Sequence, residues 1–196
     1  MNYLYKYNKR TIDILLSGLG IVVLSPIFLL IALLIKTDSK GTVFFKQKRV
    51  GKNKSHFYIL KFRTMKIETP SDTPTHLLGD ATSHITQIGR FLRKSSLDEL
   101  PQLINIFKGD MSIVGPRPAL WNQYDLIDER EKYNANEVHP GLTGLAQISG
   151  RDELPISLKA KLDGEYVQKK SLYLDLVIFT KTIFSVLKSD GVKEGN

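Results

Sequence analysis

The hydrophobic pattern is dominated by one segment: from Ile14 to Ile35 the chain reads "ILLSGLGIVVLSPIFLLIALLI" without a charge. That run is long enough for a transmembrane helix. It is too long for a signal-peptide core, and no small-residue cleavage site follows it. Pro26, preceded by Ser25, lies near its middle and predicts a kink or break, because proline lacks a donor and crowds the carbonyl four residues back. Both flanks are basic, with Lys6, Lys9 and Arg10 before the run and Lys36, Lys40, Lys46, Lys48 and Arg49 after it. The positive-inside rule therefore gives no orientation. If both flanks share one side, the segment enters the bilayer and turns back. Each half makes about 17 Å of helix, short of a core of about 30 Å. A hydroxyl at Ser25 suits a carbonyl freed at such a break. A re-entrant hairpin and a kinked span both fit these facts.

Beyond the apolar run, "GTVFFKQKRVGKNKSHFYILKFRTM" alternates as a β-hairpin does: Val43 to Phe45, a basic turn through Gly51 to Lys54, then Phe57 to Phe62. "KIETPSDTPTHLLGDATSH", with Pro70, Pro74 and Gly79, reads as a loop. "ITQIGRFLRK" and "PQLINIFK" predict short helices, and "PALWNQYDLIDEREKYN" another. "HPGLTGLAQISGR" reads as extended with glycine breaks. Helices close the chain around "SLKAKLDGEYVQKK" and "SLYLDLVIFTKTIFSVLK"; the last is amphipathic and suits a membrane interface. The expected class is α+β, mainly short helices with a small β-hairpin. An N-terminal helix-break-helix in the membrane and interfacial amphipathic helices complete it. The expected division is a membrane anchor over residues 1–36 and a catalytic domain over 37–196.

Composition narrows the partners. With 28 Lys+Arg against 20 Asp+Glu and a net charge of +8, the chain suits an anionic partner: nucleic acid, phosphorylated metabolite or acidic lipid. It has no cysteine, hence no disulfide framework and no thiolate zinc site. Its four histidines, His56, His76, His84 and His139, lack metal-ligand spacing. No phosphate-binding glycine loop of the GxxxxGK[ST] or GxGxxG kind occurs, which argues against a doubly wound nucleotide fold. Nucleic acid is disfavoured by the apolar segment and by the lack of an RNA- or DNA-binding motif.

In this basic chain "SSLDELPQL" sets Asp98 beside Glu99. Ser96 with Glu99 matches a capping box, and acids in a first turn suit the helix dipole. Cations offer a second explanation. Lys61 and Arg63 share a strand face, Arg93 precedes the acids, and Arg151 follows Gly150. Arg117 stands between Pro116 and Pro118, where fixed φ angles place a guanidinium for bidentate phosphate contact. Beside a pyrophosphate, a divalent cation such as Mg²⁺ would bridge carboxylate and phosphate oxygens. A carboxylate can also act as nucleophile.

Together, "KRTIDILLSGLGIVVLSPIFLLIALLIK", "FFKQKRVGKNKSHFYILKFRTM", "RKSSLDELPQLINIFKGDMSIVGPRP", "HPGLTGLAQISGR" and "LDGEYV…SLYLDL" resemble the bacterial sugar transferases that are monotopic phosphoglycosyl transferases, along nearly the whole chain. The resemblance implies transfer of a sugar 1-phosphate from a UDP-sugar to undecaprenyl phosphate, releasing UMP. It makes Asp98 the nucleophile that carries the phosphosugar. It makes Glu99 the Mg²⁺ ligand and a helper in deprotonating the acceptor. Arg117, within Pro116-Arg117-Pro118, would bind nucleotide and phosphate, with Arg93, Lys61, Arg63 and Arg151 as further phosphate contacts. Ser25 and Pro26 match the family's helix break, so the anchor would be re-entrant, with Lys9 and Arg10 at the headgroups. The implied place is the cytoplasmic face of the bacterial inner membrane. Implied partners are membrane lipid and downstream glycosyltransferases, with no nucleic acid. The loop around "MKIETPSDTPTHLLGDATSH" is the expected seat of sugar specificity. The rival reading is a single-pass membrane protein whose basic domain binds acidic lipid or a partner without catalysis; it leaves "LDEL" beside "GPRP" unexplained.

Overall fold

A computed structural model describes residues 3–69, 81–150 and 154–187. Helix α1 (Tyr3–Asp38) is 36 residues long. The hairpin β1 (Phe44–Val50) and β2 (His56–Phe62) follows, then α2 (Ala81–His84), α3 (Gln87–Lys94), a 3-10 turn over Leu97–Glu99 and α4 (Gln102–Lys108). Strand β3 (Ser112–Val114), α5 (Tyr124–Glu131), β4 (Gly141–Thr143), α6 (Leu145–Gly150), α7 (Ile156–Lys169) and α8 (Leu172–Leu187) complete the order. The class is α+β. β1 pairs antiparallel with β2, and β3 pairs parallel with β4 in a separate two-stranded ribbon.

The hydrogen bonding of α1 continues past Pro26, so the expected helix-break-helix is not an interruption of the helix. The defect is confined to one carbonyl. Pro26 has no N–H for Val22 O, and Ser25 Oγ donates to that oxygen at 2.8 Å. One face of α1, carrying Asp13, Ser17, Leu24, Phe28, Ile31 and Ile35, turns toward the rest of the chain, with the three-to-four spacing of a single helical stripe. Ile31 and Ile35 are buried with Phe62 and Leu92, and Phe28, Leu97 and Leu100 pack against them. The 1–36 segment thus shares a core with the residues that follow it. Its opposite face, with Leu15, Leu19, Val22, Val23, Leu29, Leu30 and Leu33, is more than half exposed. By length and composition α1 can cross a membrane, and only 11% of its most apolar window is buried, unlike the core helix of a soluble protein.

Two further cores hold the remainder. Ile59, Ile106, Met111, Ile113, Val114, Tyr166 and Ile178 join β2, α4, β3, α7 and α8. Val50, Ala119, Leu126, Ile127 and Ala160 join the hairpin end to α5 and α7. Three expectations need correction. Helix α5 starts only at Tyr124; the preceding "PALW" is drawn into extended pairing, with Leu120 bridging Arg49 and Ala119 O accepting Val50 N. "LAQISG" is helical rather than extended. The capping box does not form: Ser96 is left-handed, with φ 57, and its side chain makes no cap bond among the described residues. α8 presents Tyr173, Leu176 and Phe184 to the outside, as an interfacial helix would.

Candidate active site

The acids sit on the 3-10 turn between α3 and α4 because its two leucines are anchored. Leu97 and Leu100 pack into the core that contains Ile31 and Ile35 of α1, which turns the intervening Asp98 and Glu99 away from that core. Opposite them, β2 carries Lys61, whose Nζ donates to Glu99 Oε1 at 2.7 Å. Arg117 donates to the same oxygen at 2.9 Å. Both cations reach one oxygen, so Glu99 is held well below the ordinary carboxylate range by Arg117 and Lys61, against a large opposing effect of burial.

Asp98 is 8% exposed. Burial pushes its carboxyl up to about 6; Lys61, Arg93 and Arg117 pull it down, and the adjacent Glu99 charge raises it. The pair is therefore split, with one acid firmly ionised and its neighbour titrating near neutrality. Such divergence between adjacent acids is how one site obtains two roles from one functional group. Arg93 is steadied by Nε donating to Thr64 Oγ1 at 3.0 Å, and its charge bears on Asp98.

Arg117 is fixed from behind. The carbonyls of all three residues of "PRP" accept hydrogen bonds: Pro116 O from Gly141 N at 2.9 Å, Arg117 O from Arg130 at 3.0 Å, and Pro118 O from Arg49 at 3.0 Å. Arg130 is itself paired with Asp163, through Nε at 2.8 Å and a second nitrogen at 2.6 Å. Both are almost wholly buried, and burial pushes the Asp163 carboxyl up despite its partner. Gly115 and Gly141 let the two loops touch: a Cβ on Gly141 would lie 2.1 Å from Gly115 N. The "HPGLTG" motif is thus the backing plate of the "GPRP" loop. A small cleft is lined by Arg49, Ile59, Lys61, Arg117 and Pro118, two of which are the cations that hold Glu99.

The remaining expected residues lie elsewhere. Arg63, just past β2, donates to the carbonyls of Ser39 and, through a short contact, Lys40. It ties the exit of α1 to the end of β2, and both terminal nitrogens of its guanidinium are engaged there. Lys9 pairs with Asp175 of α8 at 2.9 Å, and Arg10 donates to Ile106 O and Phe107 O at the end of α4. Both thus fasten α1 to α8 and to the end of α4. Arg151 lies outside the described residues, as does most of the expected specificity loop. Sequence reasoning missed Arg49, Arg130, Asp163, Gln102 and Asn105. Only tertiary packing separates the half-buried Arg49 and the four buried polar groups from ordinary surface ones, although Gln102 and Asn105 follow the acids at helical spacing.

Comparisons with known proteins bear on the chain as a whole. Residues 4–189 match the bacterial sugar transferase family. The chain is 42% identical to an exopolysaccharide production protein, ExoY, of Sinorhizobium fredii, over 94% of this chain and 87% of that one. It is 40% identical to a UDP-glucose:undecaprenyl-phosphate glucose-1-phosphate transferase of Caulobacter vibrioides, over 93% of this chain and 70% of the relative. It is 36% identical to a UDP-N-acetylgalactosamine-undecaprenyl-phosphate N-acetylgalactosaminephosphotransferase of Aeromonas hydrophila, over 97% of this chain and 46% of the relative. The chain belongs to the bacterial sugar transferase family; it is an enzyme, a transferase of sugar phosphate.

Proposed function

We propose that this transferase moves a sugar 1-phosphate from a UDP-sugar to undecaprenyl phosphate, giving the polyprenyl-diphosphate sugar and UMP. This would be the first membrane step in assembling a capsule, exopolysaccharide, O-antigen or glycoprotein glycan. The observation that carries the reading is Asp98: a buried carboxylate whose pKa burial raises to about 6, within the field of Lys61, Arg93 and Arg117. Relatives named for glucose 1-phosphate and N-acetylgalactosamine phosphate transfer support the donor and acceptor classes.

In the first half-reaction an Asp98 oxygen attacks the phosphorus that bears the sugar. The bond from that phosphorus to the bridging oxygen breaks, and UMP leaves with the bond's electrons. Asp98 then carries the phosphosugar as an acyl phosphate. In the second half, an oxygen of undecaprenyl phosphate attacks the same phosphorus and the Asp98 carboxylate is released. Arg117 and Lys61 offer the diphosphate charge-assisted hydrogen bonds that strengthen in a dry cleft. The adjacent carboxylates suit Mg²⁺, a hard ion taking carboxylate and phosphate oxygens. Glu99 would hold it, and it would supply neutralisation of charge between acid and diphosphate. The exposed apolar face of α1 and the outward aromatics of α8 support membrane association. Within the reading, α1 is re-entrant through a bend at Pro26 rather than a break, both flanks lie at the cytoplasmic face, and the acceptor's phosphate meets Asp98 at leaflet depth.

Incubation with UDP-sugar and Mg²⁺ but no acceptor is the test. Intact-mass analysis is expected to show a phosphosugar adduct on wild type and none on Asp98→Asn. An enzyme that turns over yet never carries the adduct, or an Asn variant releasing UMP at the wild-type rate, overturns it.

A further inference from the structure

Glu99, Gln102 and Asn105 recur every three residues from the catalytic turn into α4. The backbone there winds with three-residue bonds, Leu100 N to Leu97 O, Leu103 N to Leu100 O and Ile104 N to Pro101 O, which stacks such positions on one face. Both ends of the row reach β2. Asn105 Oδ1 accepts Leu60 N at 2.9 Å and its Nδ2 donates to Tyr58 O at 2.9 Å; Glu99 accepts Lys61 at 2.7 Å. Gln102 lies between these anchors and is 1% exposed, yet its Nε2 is buried with no hydrogen-bond partner among the described residues. A buried orphan donor carries a desolvation penalty and calls for an explanation.

Glu99 supplies one. Its Oε1 carries both Lys61 and Arg117. The Arg117 side chain is 42% exposed against 17% for Lys61, so it is the partner that a phosphate entering the cleft can draw off. Glu99 would then lose half of its fixing at the moment it is needed. A neutral amide one turn away can replace that bond without adding a cation beside Asp98.

We propose that Gln102 is a positioning residue, whose Nε2–H donates to the Glu99 carboxylate once Arg117 turns to a ligand phosphate. This rests on the proposed chemistry of Asp98 and Glu99. The test is Gln102→Met, which keeps the shape and removes the donor, measured in full-length protein. The thermal midpoint is expected to equal or exceed wild type, since an orphan amide is replaced by apolar atoms. Donor KM should stay within about twofold, while adduct formation slows about tenfold, the scale seen when a ligand's supporting partner is removed. Gln102→Glu, which sets a carboxylate against Glu99, should slow it further. Adduct formation at the wild-type rate in Gln102→Met overturns the inference. So does a lowered midpoint with activity lost in proportion, which is what a space-filling role predicts. Asp98→Asn and Glu99→Gln are run alongside: if these turn over normally the catalytic reading fails, whereas if they are dead and Gln102→Met is normal only the role of Gln102 fails.

Discussion

The guanidinium of Arg130 donates to the backbone oxygen of Arg117 at 3.0 Å. One buried arginine, neutralised by Asp163, therefore holds the loop that carries another into the cleft.

Arg130→Met should destabilise the protein by about 3–5 kcal/mol, because it leaves the Asp163 charge buried without compensation. Adding Asp163→Leu should restore most of that loss. Activity should not return, since Arg117 O remains unheld. Thermal unfolding and UMP release, measured on the single and double variants, separate the two effects. A double variant with wild-type activity would mean the loop needs no such support.

Asp98 titrates near 6 because burial raises it. Its charged, nucleophilic form is lost below that value, so single-turnover UMP release should fall as pH drops through about 6. Lys61→Met removes the strongest lowering charge and should move the limb upward. Stability has the opposite sign. A carboxyl raised in the folded state favours folding while protonated, so its contribution declines as pH rises from about 4 to 6. Asp98→Asn should thus raise the thermal midpoint at pH 8 while abolishing the adduct. A flat rate between pH 5 and 7 would contradict the assignment.

Gly141→Ala should be among the most damaging single-methyl changes. The added Cβ would meet backbone on three sides, with Gly115 N, Thr143 O and Gly115 O all within 2.5 Å, and backbone cannot rotate aside. Loss of both thermal midpoint and UMP release is expected. A well-folded, active variant would show that the loops need not touch.

The chain lacks cysteine, so Lys40→Cys is a single reporter of topology. An impermeant thiol reagent should reach it only after cells are opened. Pro26→Ala restores an N–H to Val22 O and favours a straight span, so labelling from outside should rise. External labelling of Lys40→Cys alone would eliminate the re-entrant arrangement.

Much of the architecture is legible locally. The hairpin follows from alternation, α1 from its uninterrupted apolar run, and α3, α4, α7 and α8 from helical spacing. The misreadings occur where a partner strand or loop overrides local preference. "PALW" is extended because Arg49 and Val50 pair with it; Ser96 does not cap because its backbone is left-handed where an N-cap is extended, and the Glu99 side chain of the box goes to Lys61 and Arg117 instead.

By itself the sequence determined that this chain carries an apolar helix with a proline inside, a pair of acids in a basic chain, and an arginine stiffened between prolines. Each of these depends on neighbours a few residues away, so each is written locally. Only the tertiary structure decided which cations meet the acids, because Lys61, Arg93 and Arg117 come from three separate stretches of chain. It also decided that Arg63, Lys9 and Arg10 serve the seating of α1, since a guanidinium or ammonium goes to whichever carbonyl or carboxylate packing leaves in reach.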